Sequence, residues 1–380
     1  MSLFGLLYSK IILIFVFLAI LFNIKLAWPA LKKHKLYLFL TLQYPIIHLL
    51  KINLLDNPDR IPLASVSTWQ EPWLWLILIP LLTLPFFENV ENLSKHIKVF
   101  IPLLIVIAFS WMLSRWLEAP AARQELFFRN VFGTPLFTST LLIAYVLLAK
   151  RYTANLNIII LILSLMVAGI CLEFAKVRGI SLAFLAALGA SFIYITFQSF
   201  KSLNGRIKNI FVFSIMILAV IGSIYLVMLF DDRLSLVLRE LSHPNKVDFS
   251  TSIRLTMYKE SLIEVFKAPI FGHGVAYEQI MVNKLLPGHI HTHNIYLSWL
   301  IWGGLLSLTS GMLFMFAAVL SLKNKGAAIK AFIFLLPISI SQLFDSFLIW
   351  GDINQIFLIF SSMVYIALLK TENSGKHIIL

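Results

Sequence analysis

Long apolar runs, each close to the length of a membrane crossing and separated by short charged breaks, fill most of the chain. A window of about 20 residues, enough for a helix to cross a hydrocarbon core of about 30 Å, predicts eleven spans. They lie near 9–28, 36–52, 72–87, 97–113, 131–149, 155–173, 179–199, 210–230, 292–321, 328–348 and 353–369. The third is short and carries Pro72, Pro80 and Pro85. Lipid offers no partner to a backbone N–H or C=O, and an open sheet edge would leave a row of them unpaired. The predicted fold class is therefore all-α, a polytopic membrane helix bundle of about eleven or twelve helices in a single integral membrane domain.

Charge orders these spans. Lys32, Lys33 and Lys35, Lys95 and Lys98, Lys150 and Arg151, Lys201, Arg206 and Lys208, and Lys323, Lys325 and Lys330 form basic loops. Such loops are retained on the cytoplasmic side. The loops between them mix signs or carry few charges and fall outside, with the C-terminus inside and the N-terminus outside.

Composition agrees: of 380 residues 59% are hydrophobic and 13% charged, with a mean hydropathy of +0.88, which excludes a soluble domain. The net charge of +13 is accounted for by the cytoplasmic loops and so gives no reason to invoke nucleic acid. Cys171, the only cysteine, rules out a disulfide framework and a thiolate zinc site, and reads as a small buried hydrophobe. The first apolar run, Ile11 to Trp28, ends at a lysine-rich loop without a small-residue cleavage site, so no cleaved leader is expected.

One long polar segment breaks the pattern. Residues 231–291 fall on the non-cytoplasmic face and balance seven Lys or Arg against seven acids, Glu278 among them. Long loops in compact bundles are commonly functional. Within this one, Leu255, Tyr258, Leu262, Val265 and Phe266 recur at helical spacing, with Ser250, Thr251 or Ser252 available as a cap and Pro269 beyond the end. The pattern predicts an amphipathic helix at the membrane, followed by a glycine-rich turn, FGHG at 271–274.

The candidate chemistry clusters on the same face. HIHTHN at 289–294 repeats histidine at every second position, which in an extended strand would turn three imidazoles to one side and suggest a metal. Metal sites usually add carboxylates or thiolates, and no acid lies between Glu278 and Asp345, so the ligand inventory argues against one. The alternative is catalytic. If a helix begins near Thr292, acting as its cap, His293 and Asn294 occupy its first turn, where the helix dipole disfavours imidazolium and leaves a base. Arg178 and Arg254 fall on this face too, and two guanidiniums suit a diphosphate because the planar fork donates bidentately. Against this stand ordinary roles: loop histidines in solvent, a snorkelling Arg178, and Arg254 on the wet side of its helix. Arg129 belongs to a stretch anchored by Trp111, Trp116, Phe127 and Phe128, and Asp345 lies near the outer end of the tenth span, where acids are functional candidates. Gly303 and Gly304 fit close helix packing.

Taken together, IRLTMYKESL at 253–262, the GHG turn, HTHN at 291–294 and GG at 303–304 resemble the bacterial O-antigen ligase family, with VRGIS at 177–181 and DSFLIW at 345–350 as looser matches. That family shares its C-terminal signature with O-antigen polymerases and protein O-oligosaccharyltransferases. The resemblance implies a metal-independent glycosyltransferase of the bacterial inner membrane, acting at the periplasmic face, without cofactors. Its donor is a glycan on undecaprenyl diphosphate, its acceptor lipid A–core, and membrane lipid surrounds both. The resemblance makes His293 the base that activates the acceptor hydroxyl, and Arg254 and Arg178 the ligands of the diphosphate. Asn294, His291, His273, Tyr258, Arg129 and Asp345 are assigned to substrate binding. The ligases have twelve helices with both ends inside, one more than the eleven counted here. An O-antigen polymerase is the alternative within this class. A transporter of anionic lipid would instead line a midplane cavity with charges, whereas the candidates here gather at one face.

Overall fold

The structure, a computed structural model, describes residues 24–54, 66–90, 249–287, 291–343 and 351–373, together with 183, 186, 189, 190, 193 and 194. All regular structure among the described residues is helical: α1 Ile24–Lys33, α2 Lys35–Leu54, α3 Val66–Asn89, α4 Phe249–Lys267, α5 Val275–Leu285, α6 Ile295–Met315, α7 Ala317–Ser321, α8 Lys325–Ser341 and α9 Gly351–Asn373. The predicted spans at 97–113, 131–149, 155–173 and 210–230 lie outside the described residues, as do most of 9–28 and 179–199.

The chain divides into two compact units. One comprises Met1–Glu91, Arg254–Ala328 and Asp345–Leu369; the other Asn92–Ile253, Ile329–Phe344 and Lys370–Leu380. In the second, the Lys330 ammonium lies 6.0 Å from the centre of the Tyr194 ring. The candidate chemistry that the structure describes belongs to the first unit.

In that unit α2 and α3 form an antiparallel pair. At one end Trp73 stacks on His48 with ring centres 4.7 Å apart, and at the other Lys33 forms an ion pair with Glu88. The basic loop expected at 32–35 proves to be a single-residue break: α1 ends at Lys33, His34 turns, and α2 starts at Lys35. His34 is buried, its Nε2 3.2 Å from Glu88 Oε2 and its Nδ1 3.3 Å from the Tyr365 hydroxyl, which ties α9 to the same end. The helices also run through proline: Pro29, Pro45 and Pro337 lie inside α1, α2 and α8, and α3 continues through the three prolines that made its limits hard to read from sequence. Neighbouring groups can take up the carbonyls that proline leaves free.

Helix α6 is the element that shapes the site. By length and composition it is the one helix among the described residues able to cross a membrane, yet it is not straight. Gly303 (φ −150°, ψ 21°) and Gly304 (φ 59°, ψ −151°) leave the helical region and divide it into two arms, Ile295–Trp302 and Leu305–Met315. Nineteen residues of straight helix would separate Tyr296 from Met315 by about 28 Å, but the Tyr296 hydroxyl lies 3.8 Å from Met315 Sδ. A Cβ added to Gly311 would meet the Trp299 ring at 2.6 Å, although the two are twelve residues apart. The arms therefore fold back side by side. Tyr44 of α2 sits against both: it accepts a 2.7 Å hydrogen bond from Trp299 Nε1 and lies 4.8 Å from the Phe314 ring. The first arm, about 12 Å long, is too short to cross a bilayer. The second continues past Phe316 into α7, and Leu305–Ser321 reaches about 25 Å. The 30-residue apolar run that sequence reads as one span thus resolves into a short re-entrant arm and a longer helix.

Backbone bookkeeping explains why the break is stable. Leu305 and Leu306 N–H would ordinarily donate to Ile301 and Trp302 carbonyls. Instead they donate to Pro269 O at 2.8 Å and Ile270 O at 3.3 Å, while Ile301 O and Trp302 O accept from His273 N at 2.7 Å and Gly274 N at 3.0 Å. The FGHG turn thus occupies the gap in α6 and satisfies the four groups that the kink releases. Gly303 and Gly304 are close-packing residues as expected, but what they admit is a loop in place of another helix.

Candidate active site

The turn His291–Asn294 enters the first arm of α6, and each of its residues is held differently. Thr292 is buried; its N–H donates to Glu278 Oε1 at 2.9 Å, and its hydroxyl donates to Asn294 O at 3.1 Å and lies 3.1 Å from Ser298 Oγ. Asn294, extended at φ −148°, is the helix cap: its Oδ1 accepts from Tyr296 N at 3.0 Å and Leu297 N at 3.2 Å. Capping by Thr292, the sequence expectation, is therefore corrected by two residues, because the Thr292 hydroxyl is engaged across the turn and the helix starts only at Ile295. His293 adopts φ 58°, and among the described residues it is the one non-glycine residue in the left-handed region. That conformation costs an L-residue about 1–2 kcal/mol and persists where the surroundings over-determine it.

The extended strand that would align three imidazoles is accordingly absent at 291–294. His291 and His293 ring centres lie 4.4 Å apart with planes inclined at 47°, and His289 is outside the described residues. Among the described residues no three of His, Cys, Asp and Glu converge as a metal site.

Helix α4 supplies the second wall. Tyr258 donates from its hydroxyl to His293 O at 3.3 Å. Arg254 lies one turn earlier, on the same face of α4 as Tyr258. Both are half-buried, so the helix that carries the arginine is bound to the turn that carries the histidine. The helix begins at Phe249, so Ser250, Thr251 and Ser252 lie inside it and do not cap it. Its apolar stripe also divides: Met257, Ser261 and Val265 face inward, while Leu255, Leu262, Ile263 and Phe266 are exposed.

His273 occupies another setting. Its Nε2 lies 2.8 Å from Glu264 O and its ring stacks on Tyr277 at 4.4 Å, within the turn that fills the α6 break. Tyr277 donates to Glu264 Oε2 at 2.6 Å, and Lys267 pairs with Oε1 at 2.7 Å. The Lys267 and Tyr277 hydrogen bonds hold the Glu264 carboxyl below its usual range, and the Glu264 acceptor pushes the Tyr277 phenol up to about 12. Arg178, Arg129 and Asp345 lie outside the described residues.

Sequence reading passed over Glu278. It lies on α5, a helix not anticipated, with its side chain 1% exposed. Besides Thr292 N–H, the carboxylate accepts from Ser298 Oγ at 2.7 Å and Trp302 Nε1 at 2.5 Å. Burial pushes the carboxyl up from its usual range, against the pull of the hydrogen bonds from Ser298 and Thr292, the nearby charge of His291, and the Trp302 bond. The available signal was spacing: Val275 and Val282 stand three residues before and four after Glu278, which puts it on the inward face.

Residues 161–310 match the family model described as O-antigen ligase, a stretch that includes α4, α5 and the re-entrant arm of α6. No curated protein matches the chain.

Proposed function

We propose that the chain, whose residues 161–310 match the family model described as O-antigen ligase, is an O-antigen ligase, moving a glycan from undecaprenyl diphosphate to lipid A–core. The family itself is one of membrane glycosyltransferases of lipopolysaccharide biosynthesis acting on lipid-linked glycans. The observation that carries the finer reading is His293: a histidine in a strained, multiply tethered turn, bonded through its carbonyl to the arginine-bearing α4.

The proposed reaction is one displacement. His293 takes the proton of an acceptor sugar hydroxyl, whose oxygen attacks the anomeric carbon. The bond from that carbon to the diphosphate breaks, its electrons leave with undecaprenyl diphosphate, and the configuration inverts. Arg254 and Arg178 neutralise the charge that grows on the leaving group, while His291, Tyr258, Arg129 and Asp345 contact the two substrates, and Asn294 and His273 hold the cap and the turn that frame them. Since the diphosphate is already a good leaving group, position, one base and two cations suffice without a metal. In this reading the chain is a multi-pass protein of the bacterial inner membrane, residues 231–291 form its long periplasmic loop, and the site faces the periplasm.

In a deletion strain complemented with His293→Ala, long glycan chains should accumulate on undecaprenyl diphosphate and be missing from lipopolysaccharide. A normal lipopolysaccharide ladder in that strain refutes the assignment. Single repeat units capping the core instead identify a polymerase.

A further inference from the structure

The carboxylate of Glu278 lies beneath the His291–Asn294 turn, buried, and meets three donors spread along that turn and the first arm of α6. Thr292 N–H comes from the turn, Ser298 Oγ from the first turn of the helix, and Trp302 Nε1 from its last residue before the break. We infer that Glu278 is the positioning residue for His293, fixing the turn so that the histidine keeps its left-handed backbone and its imidazole a single approach to the acceptor hydroxyl. The inference rests on the proposed role of His293 and deepens it.

Three considerations support it. A buried carboxylate needs hydrogen-bond donors to remain in place, and all three that Glu278 meets come from the segment that carries or directly follows His293. The donors are matched to a group that accepts on both oxygens: a backbone N–H and an indole N–H cannot accept, and they meet different oxygens of Glu278, so an amide in its place sets a donor against one of them whichever way it is turned. Finally, His293 departs from ordinary backbone geometry between two tethers, Glu278 holding the residue before it and Tyr258 holding its own carbonyl. Removing the first frees the turn to relax to negative φ, which would swing the imidazole while leaving Arg254 and the donor-binding surface on α4 untouched.

Glu278→Gln tests this, because it conserves shape and replaces one acceptor by a donor. The measurement is steady-state transfer by the purified full-length protein in lipid nanodiscs, with lipid-linked O-antigen and rough lipopolysaccharide extracted from the source strain. The expected result is a fall in kcat of about 100-fold, the scale of an ångström of misplacement, with KM for the lipid-linked donor unchanged and the protein still monodisperse. Ser298→Ala, which removes one donor and keeps the carboxylate, should lower kcat less, again at unchanged KM, and serves if Glu278→Gln does not fold. Wild-type kcat in both variants, or a rise in KM at constant kcat, overturns the inference. A fully active His293→Ala protein in the same assay removes the proposed base and the inference with it. An inactive His293→Ala beside a fully active Glu278→Gln removes the positioning role alone.

Discussion

At His293 the backbone itself makes a prediction. Alanine and histidine bear the left-handed conformation at similar cost, but glycine does not. His293→Gly should therefore be as inactive as His293→Ala and more stable than it by about 1 kcal/mol, read from unfolding midpoints in detergent. A glycine variant less stable than the alanine one would mean that φ 58° is not strained in this setting. The Glu264–Tyr277 contact makes a second prediction, through pH. A carboxyl held below its usual range contributes stability above that range and loses it as pH falls through its folded value. A phenol raised to about 12 contributes stability below the ordinary tyrosine range and loses it as pH rises toward that value. The difference in unfolding midpoint between the wild type and Tyr277→Phe should accordingly be largest and flat across the neutral range, and shrink toward both acid and alkaline extremes. A difference that widens above pH 10 would be of the wrong sign for a contact that depends on the protonated phenol.

At the scale of elements, the α6 break and the FGHG turn form one device. A Cβ on Gly304 would lie 2.3 Å from Ile270 C, and one on Gly272 would lie 2.4 Å from Gly303 N; both contacts are with backbone, and both glycines have positive φ. Neither a rotamer change nor a small shift relieves such contacts. Gly272→Ala and Gly304→Ala should each expel the turn, strand the carbonyls of Ile301 and Trp302, and cost several kcal/mol. Faster proteolysis within 268–275 and loss of transfer would be seen together. Retained activity with a normal unfolding midpoint in Gly304→Ala would show that the arms can separate without consequence. The same device gives the first arm its function, since a helix of eight residues has little stability alone and is held by Tyr44, Glu278 and the turn.

For the whole molecule, the proposed topology sets Lys284 of α5 and Lys323, just beyond α7, on opposite sides of the membrane. In a Cys171→Ala background, Lys284→Cys should react with a membrane-impermeant maleimide in spheroplasts, and Lys323→Cys only after permeabilisation. Labelling of both from one side would contradict Leu305–Ser321 as the crossing. Much of this architecture is legible in the chain because its causes are local or compositional. Apolar runs of crossing length predict helices, all regular structure among the described residues is helical, and the stretch from Ile253 to Gly304 that resembles the O-antigen ligase family lies within the residues matched by that family's model. Sequence also marked His293, Arg254 and Tyr258, and α4 brings Tyr258 to the turn that holds His293, with Arg254 one helical turn earlier on the same face. Other features depended on distant partners. Asn294 rather than Thr292 caps α6 because Thr292 is drawn to Glu278, fourteen residues away. The run 292–321 folds back because Pro269, Ile270, His273 and Gly274 take over the hydrogen bonds of its middle. Glu278 reads in sequence as one of seven loop acids, its place between Val275 and Val282 suggests an inward face, and its three donors come only from the packing of α5 on α6. Periodicity and charge are written residue by residue, whereas the closure of a hydrogen-bond ledger between segments is decided when they meet.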